Sequence, residues 1–254
     1  MDSNVSPQYD IPLWNETRWN GCWNGEAGVG LYLHAGRYRR DLDMWWVQAV
    51  AYLPDGRLCL DRFWGRNASS RGVRVGGLHL EMTEDGWRAA FDGVGQLTTV
   101  DALARAPQGS SAPVSSMSFE VQATPAAPVW DMYAGASERL DFAGDMHIQQ
   151  GYQTAGRLRV GDSEYRLDGI GFKDHSSGQR DFAKWHGHRY FMIVTPEWTC
   201  HALVMYAPQD GLPMAPWGAL HRNGQEHAIV RFELPDLADS AGGLPQGILM
   251  STGS

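Results

Sequence analysis

Turn signals recur along most of the 254-residue chain and divide it into short segments. Residues 53–57 read Leu-Pro-Asp-Gly-Arg, in which proline fixes φ early in a turn and glycine accepts a positive φ near its end. Residues 84–86, 161–162 and 223–224 carry further turn signals, and the segments between turns alternate or run apolar over strand lengths. Turns about 8–12 residues apart are typical of antiparallel sandwiches and barrels, so the sequence predicts an all-β protein.

Composition supports this fold class and excludes several functions. The chain contains 11 Trp and 30 Gly, which suit twisted sheets with tight turns. Its formal net charge of −8 argues against a nucleic-acid partner, because phosphate binding requires clustered Lys and Arg. Three cysteines, at positions 22, 59 and 200, are too few and too scattered for a disulfide framework or a paired-cysteine zinc site.

The two ends of the chain carry no membrane or export signal in the sequence. The opening MDSNVSPQYD has neither a basic start nor an apolar run, and no stretch approaches the roughly 20 apolar residues that a membrane span requires. We therefore expect a cytoplasmic protein without a membrane span. The closing LPQGILMSTGS stops as an apolar segment begins, which predicts that the sequence is a shortened version of a longer chain.

A change of composition marks a domain boundary. Residues 106–128 are rich in Ala, Pro and Ser, and the strand-like pattern resumes after about residue 140. The sequence thus predicts an N-terminal β domain over residues 1–140 and a C-terminal β domain over residues 141–254.

The stretch GIGFKDHSSGQRDF concentrates charge where a strand should end. Asp174, His175, Arg180 and Asp181 lie within eight residues of one another. A solvated loop carries such charges at no cost, whereas charges that face a barrel interior must pair with one another or serve chemistry.

This stretch resembles the Gly-x-Gly-x-x-Asp-His-Ser-x-Gly-x-Arg-Asp signature of a superfamily with two lipocalin-like barrels. The superfamily includes the bacterial carotenoid 1,2-hydratases (hydroxyneurosporene synthases) and, more distantly, tocopherol-cyclase-like proteins and lipocalin-type Diels–Alderases. The positions in register are Gly169, Gly171, Asp174, His175, Ser176, Gly178, Arg180 and Asp181. His147 and Gln150 match an upstream element, while Ser177 and Phe182 stand where relatives usually have Trp.

The resemblance implies two tandem lipocalin-like antiparallel β-barrels or half-barrels with an apolar cavity. Relatives generally run on for several more strands, so the second barrel is expected to be incomplete. The resemblance also implies cofactor-free acid–base chemistry on hydrophobic, often isoprenoid, substrates.

Asp174, His175 and His147 are the candidate catalytic residues. In an aromatic-lined cavity, burial raises the pKa of a carboxyl, and Asp174 could then donate a proton at neutral pH. Asp174 and His175 could equally be structural. On the strand MHIQQ, alternation places His147 and Gln149 on one face, where His147 could relay a proton. For Arg180 and Asp181 we favour a structural ion pair that holds a corner.

Aromatic side chains are the candidate substrate-binding residues, because their faces stabilise a developing cation and line apolar pockets. They are Trp23, Trp45, Trp46, Trp185, Tyr190 and Trp198.

Other chemistries find little support. His186 and His188, with His175 nearby in sequence, suggest a metal site, but no acidic or cysteine ligand stands at a fitting spacing and a solvated turn is the favoured interpretation. We therefore predict no metal and no cofactor. Nucleotide-binding glycine loops and the Gly-x-Ser-x-Gly nucleophile motif are missing from the sequence.

Three functional hypotheses follow. The leading one is a cofactor-independent lyase or isomerase (hydratase, cyclase or isomerase) that acts on an apolar terpenoid- or polyketide-like molecule, with Asp174 as proton donor. The alternative is a non-catalytic carrier of a hydrophobic small molecule. In the third, the charged residues only hold the two barrels together. A short second barrel would expose a strand edge, which favours a homodimer.

Overall fold

The computed structural model describes residues 4–105, 112–134, 143–184, 186–206, 217–233 and 249–252. The prediction of an all-β fold is confirmed, because strands make up nearly all of the regular structure in the described residues. None of the helices in the described residues has the length and apolarity that crossing a bilayer requires.

The strands of the first part of the chain are β1 (Trp14–Asn24), β2 (Val29–Tyr38), β3 (Asp41–Tyr52), β4 (Arg57–Arg66), β5 (Gly72–Val75), β6 (Leu78–Thr83), β7 (Gly86–Thr99), β8 (Val114–Pro125), β9 (Trp130–Asp131), β10 (Met146–Val160), β11 (Ser163–Arg166) and β12 (Gly169–Gln179). A short helix, α1 (Val100–Arg105), follows β7, and a 3-10 turn spans Phe182–Lys184. The remaining strands are β13 (Gly187–Val194), β14 (Trp198–Tyr206), β15 (Trp217–Arg222), β16 (Gln225–Glu233) and β17 (Leu249–Thr252).

The first unit is a closed antiparallel barrel. Its strands pair in the order β10, β12, β1, β2, β3, β4, β7 and β8, and β8 pairs again with β10 to close the ring. Strands β5 and β6 extend the sheet beyond β7, while β9 and β11 pair with β10. Closure leaves none of the eight ring strands as a free edge.

The chain divides into compact units at residues 1–180 and 181–254, later than the composition change predicted. The difference arises because β10 and β12, which follow residue 140, pair with β8 and β1 and complete the first barrel. Composition reports where a connection is polar, and it carries no information about which distant strand a segment pairs with.

Alternation along each strand separates the core from the outer face of the barrel. On β2, Leu31 and Leu33 point into the apolar core, and on β3 Val47 and Ala49 do the same, while their neighbours point outward. The outer face of β10, β12, β1, β2 and β3 therefore carries every second residue of these strands, and most of the candidate site comes from them.

The second unit is an antiparallel sheet whose strands, β13 to β17, pair in chain order. Its apolar cluster comprises Cys200, Ala202 and Ile229.

Candidate active site on the outer face of the first barrel

Asp174 and His175 occupy opposite faces of β12. Asp174 lies opposite Trp19 of β1 on the outer face and is 8% exposed. His175 lies opposite Arg18, points into the barrel and is fully buried. Adjacent residues of a strand always diverge in this way, so the two side chains cannot act on the same group.

A carboxylate, an imidazole and an amide meet on the outer face. His147 and Gln149 alternate onto the same side of β10, and Gln149 is the register partner of Asp174. The His147 Nε2 atom lies 2.6 Å from Asp174 Oδ2, and Gln149 Nε2 donates a hydrogen bond to the same oxygen at 3.1 Å. The structure thus brings together the predicted pair His147 and Asp174 and adds Gln149 to it.

The protonation state of Asp174 differs from the expectation of a neutral acid. Burial raises the pKa of Asp174, but the nearby His147 ring, the Arg180 guanidinium and the Gln149 amide outweigh burial, so the pKa lies below its ordinary value. Asp174 is therefore a carboxylate at neutral pH. An ionised carboxylate only accepts hydrogen bonds, which makes Nε2 of His147 the donor and leaves Nδ1 as the ring nitrogen that Asp174 does not engage.

Arg180 belongs to this outer-face cluster. The Arg180 Nη1 donates to Thr17 Oγ1 at 2.9 Å, and Thr17 Oγ1 lies 3.1 Å from Ser176 Oγ. The charge of Arg180 also lowers the pKa of Asp174. Among the described residues Arg180 forms no ion pair with Asp181, whose Oδ1 instead accepts from the backbone N–H of Ala183 at 3.1 Å. The predicted Arg180–Asp181 pair is thus replaced by a Coulombic interaction between Arg180 and Asp174.

Aromatic rings lie beside Asp174 and continue away from it across neighbouring strands. We call these residues the aromatic row: Phe172, Trp19, Tyr32, His34, Trp46, Trp64 and Tyr38. Successive ring centroids are 4.6 Å apart for Phe172 and Trp19, 5.6 Å for Trp19 and Tyr32, and 6.3 Å for Tyr32 and His34. Only Trp46 of the row was among the sequence-based candidates.

The second half of the row continues the same contacts. The ring centroids are 4.4 Å apart for His34 and Trp46, 6.4 Å for Trp46 and Trp64, and 5.4 Å for Trp64 and Tyr38. Burial lowers the pKa of His34 to about 4, so its ring is neutral at neutral pH. The alternate positions of β1, β2 and β3 were the signal that could have identified these residues in the sequence.

His175 instead belongs to an ionic network inside the barrel. Its Nε2 lies 2.9 Å from Glu16 Oε1, and Arg37 Nε donates to Glu16 Oε2 at 2.8 Å. Arg18 Nη2 lies 3.9 Å from the same carboxylate, and the backbone N–H of Val5 donates to it at 3.0 Å. Glu16, Arg18 and His175 are fully buried, and this network lies on the opposite side of the sheet from the outer-face cluster.

The other predicted aromatic residues that the structure describes lie outside the aromatic row. Trp45 lies in the barrel core, because adjacent residues of a strand face opposite sides and its neighbour Trp46 faces outward. The Arg37 guanidinium lies 4.8 Å from the ring centroid of Trp45. Trp23 lies on the outer face and is 43% exposed, and its ring centroid is 6.4 Å from that of Tyr52. Trp198 packs on the apolar cluster of the second unit.

Tyr190 lies on β13 of the second unit and is half-buried. Trp185 falls outside the described residues. Within the described ranges, no group of three or more His, Cys, Asp or Glu side chains has the geometry to hold a metal ion.

Solved structures show what fold this chain shares with known proteins. A protein of Nitrosomonas europaea assigned as an AttH superposes with a TM-score of 0.60 at 11% identity, over 91% of this chain and 73% of that one. Kievitone hydratase from Nectria haematococca gives 0.54 at 11% identity, over 99% and 80%. CghA with Sch210972 gives 0.51 at 13% identity, over 85% and 59%. At these identities the likeness is one of fold.

Sequence comparison gives the family. No curated protein sequence matches the chain. A family model described as a domain of unknown function, DUF7064, matches residues 2–250. Because this match covers nearly the whole chain, the protein belongs to the DUF7064 family.

Proposed function

We propose that this protein is a cofactor-independent acid–base enzyme that acts on an apolar, terpenoid- or polyketide-like small molecule. The reaction we favour is hydration of an alkene, and cyclisation or isomerisation is the alternative. The observation that carries the proposal is the 2.6 Å contact between His147 and Asp174, placed beside a row of aromatic rings. A histidine held by a buried carboxylate is a common device for proton transfer.

In this proposal His147 exchanges the proton with the substrate and Asp174 holds His147. The ionised Asp174 fixes the Nε2–H tautomer and stabilises the imidazolium form, so Nδ1 of His147 alternately releases and accepts a proton. Asp174 is therefore a positioning residue. Gln149, which also donates to Asp174, keeps the carboxylate in place.

Hydration balances with these groups alone. The Nδ1 proton of the His147 imidazolium passes to one alkene carbon, and the π electrons form the new C–H bond. The resulting cation at the other carbon is stabilised by the faces of Trp19 and Trp46. Water adds to that carbon and loses a proton to Nδ1, which restores the imidazolium. In cyclisation, a second double bond of the substrate attacks the cation in place of water, and the new cation loses a proton from an adjacent carbon to Nδ1, which restores the imidazolium.

The fold likeness supports the reaction class as an analogy only. One of the similar structures is named a hydratase, and another, CghA, was solved with Sch210972. A fold hosts many reactions, so the argument for chemistry comes from the outer-face cluster.

The test is a reaction survey in ¹⁸O-labelled water. Purified protein is incubated with terpenoid and polyene alkenes, and the products are followed by mass. We expect a product heavier than its substrate by one labelled water, formed by the wild-type chain and lost in His147→Gln. A His79→Gln variant, altered on an exposed strand position of the same barrel, serves as the matched control and should keep full activity.

Other results would redirect the proposal. A product of unchanged mass would replace hydration by cyclisation or isomerisation. Substrates that are retained by the protein yet returned unchanged, with His147→Gln binding as well as the wild type, would contradict the enzyme and favour the carrier.

A further inference from the structure

The aromatic row is long compared with the outer-face cluster. Its members come from five adjacent strands, β12, β1, β2, β3 and β4. Neighbouring strands lie about 4.8 Å apart, so the row spans roughly 19 Å across the sheet. Proton transfer occupies only the end at β12 and β10, where His147 and Asp174 lie. The remaining rings therefore have more length than a compact substrate would need.

The rings at the far end of the row are more exposed than those beside the outer-face cluster. Phe172, Trp19 and Trp46 are half-buried, whereas Trp64 is 58% exposed and Tyr38 is 40% exposed. An exposed Trp in contact with a second exposed aromatic ring places a large apolar surface in water. Here that surface continues without a break into the half-buried rings beside the candidate active site.

A second exposed aromatic pair, Trp23 and Tyr52, lies on the same outer face. Within the described residues Trp23 makes no ring contact with a member of the aromatic row, whereas Trp64 makes two. The continuous path from the cluster therefore leads toward Trp64 and away from Trp23.

We propose that the aromatic row binds the tail of an elongated, unsaturated substrate, with the reacting end beside His147 and the far end on Trp64. The assignment of the reacting end rests on the proposed function, but binding of the tail requires no turnover. A continuous row of aromatic rings, most of them tilted or edge-to-face, favours a flat, conjugated or polyunsaturated chain, because aromatic side chains offer apolar contact area without hydrogen-bond partners. Trp64 is then a specificity-determining residue for substrate length.

The test compares two neutral probes by isothermal titration. Retinol carries a cyclised ring and a long polyene tail, and β-ionone carries the same ring with most of the tail removed. We expect the wild-type chain to bind retinol at least tenfold more tightly than β-ionone. We expect Trp64→Ala to weaken retinol binding about tenfold and to leave β-ionone binding unchanged, since only the tail contact is lost.

Trp23→Ala is the matched control, because it removes another exposed tryptophan from the same outer face. Its retinol affinity should stay within twofold of wild type. Both tryptophans are exposed, so both variants should keep the wild-type melting temperature, and this is measured first. Equal binding of retinol and β-ionone by the wild type, or a retinol loss in Trp23→Ala in place of Trp64→Ala, would overturn the proposal.

The result is independent of whether the protein turns a substrate over. Binding of retinol and β-ionone needs no proton transfer, so the two affinities are measured without any reaction. If the reaction survey finds no chemistry while Trp64→Ala still loses retinol, the proposed function fails and the tail site stands. If turnover is found but Trp64→Ala binds both probes normally, the tail site fails alone.

Discussion

Replacing Asp174 by Asn is expected to lower turnover about a thousandfold while substrate affinity changes little. General acid–base groups contribute roughly 10²–10⁴ in rate, and Asp174 controls the one on which the reaction depends. An amide cannot hold the Nε2–H tautomer of His147 by charge, and it cannot stabilise the imidazolium. The loss should appear in kcat and leave KM nearly unchanged, because the aromatic row still holds the substrate.

Steady-state kinetics of Asp174→Asn and of the control Asp168→Asn test this expectation. Asp168 is a partly exposed carboxylate of the first unit whose pKa is lowered, first of all, by the hydrogen bond from Arg166, and its loss should leave kcat unchanged. The split between kcat and KM, together with an unchanged melting temperature, separates positioning from mere stability. Full activity of Asp174→Asn, in a chain of unchanged melting temperature, would mean that His147 does not depend on the carboxylate.

Glu16→Gln is expected to have the largest effect on folding, destabilising the chain by about 3–5 kcal/mol. Glu16 is fully buried, and its carboxylate is the shared partner of His175, Arg37 and Arg18. Removing its charge leaves these groups buried without their common counter-ion. Chemical denaturation gives the free energy of unfolding, and Glu164→Gln, which removes an exposed carboxylate that contacts Arg159, should leave that free energy nearly unchanged.

The same substitution should change the response to acid. Burial raises the pKa of Glu16, but the hydrogen bonds and charges of His175, Arg37 and Arg18 outweigh it and lower the pKa below its ordinary value of 4.5. A carboxyl whose pKa is lowered on folding stabilises the fold above its unfolded pKa, and this contribution is lost as the pH falls through the folded pKa. As the pH falls from about 5, the free energy of unfolding of Glu16→Gln should therefore decrease less than that of the wild type. Equal acid sensitivity in the two chains would show that Glu16 is not a main source of it.

Part of the site could be read from local sequence because it depends on local geometry. Alternation in MHIQQ placed His147 and Gln149 on one face, and the structure has them there beside Asp174. The same rule, applied to β12, separates Asp174 from His175, and applied to β3 it separates Trp45 from Trp46. Nearness in sequence had placed the two members of each pair in one site, but adjacent residues of a strand point to opposite faces of the sheet.

The rest depended on contacts between residues far apart in the chain. The partner of His175 is Glu16, 159 residues away, and no local pattern marks Glu16 as its counter-ion. The division between the units lies after β12 because β12 pairs with β1, which composition cannot reveal. The lowered pKa of Asp174 likewise follows from three partners on two other segments, whereas burial alone predicted a raised one.

Solvent deuterium in the product shows whether His147 and Asp174 transfer a proton to the substrate. The reaction is run in deuterium oxide, and the product is analysed by mass and by NMR. Because the protons on the His147 ring nitrogens exchange with solvent, we expect one carbon-bound deuterium in each product molecule formed by the wild-type chain and a loss of product in Asp174→Asn. A product that forms at the wild-type rate with no carbon-bound deuterium would rule out this proton transfer, because the bond-forming step would then proceed without the proton that this pair of residues is proposed to supply.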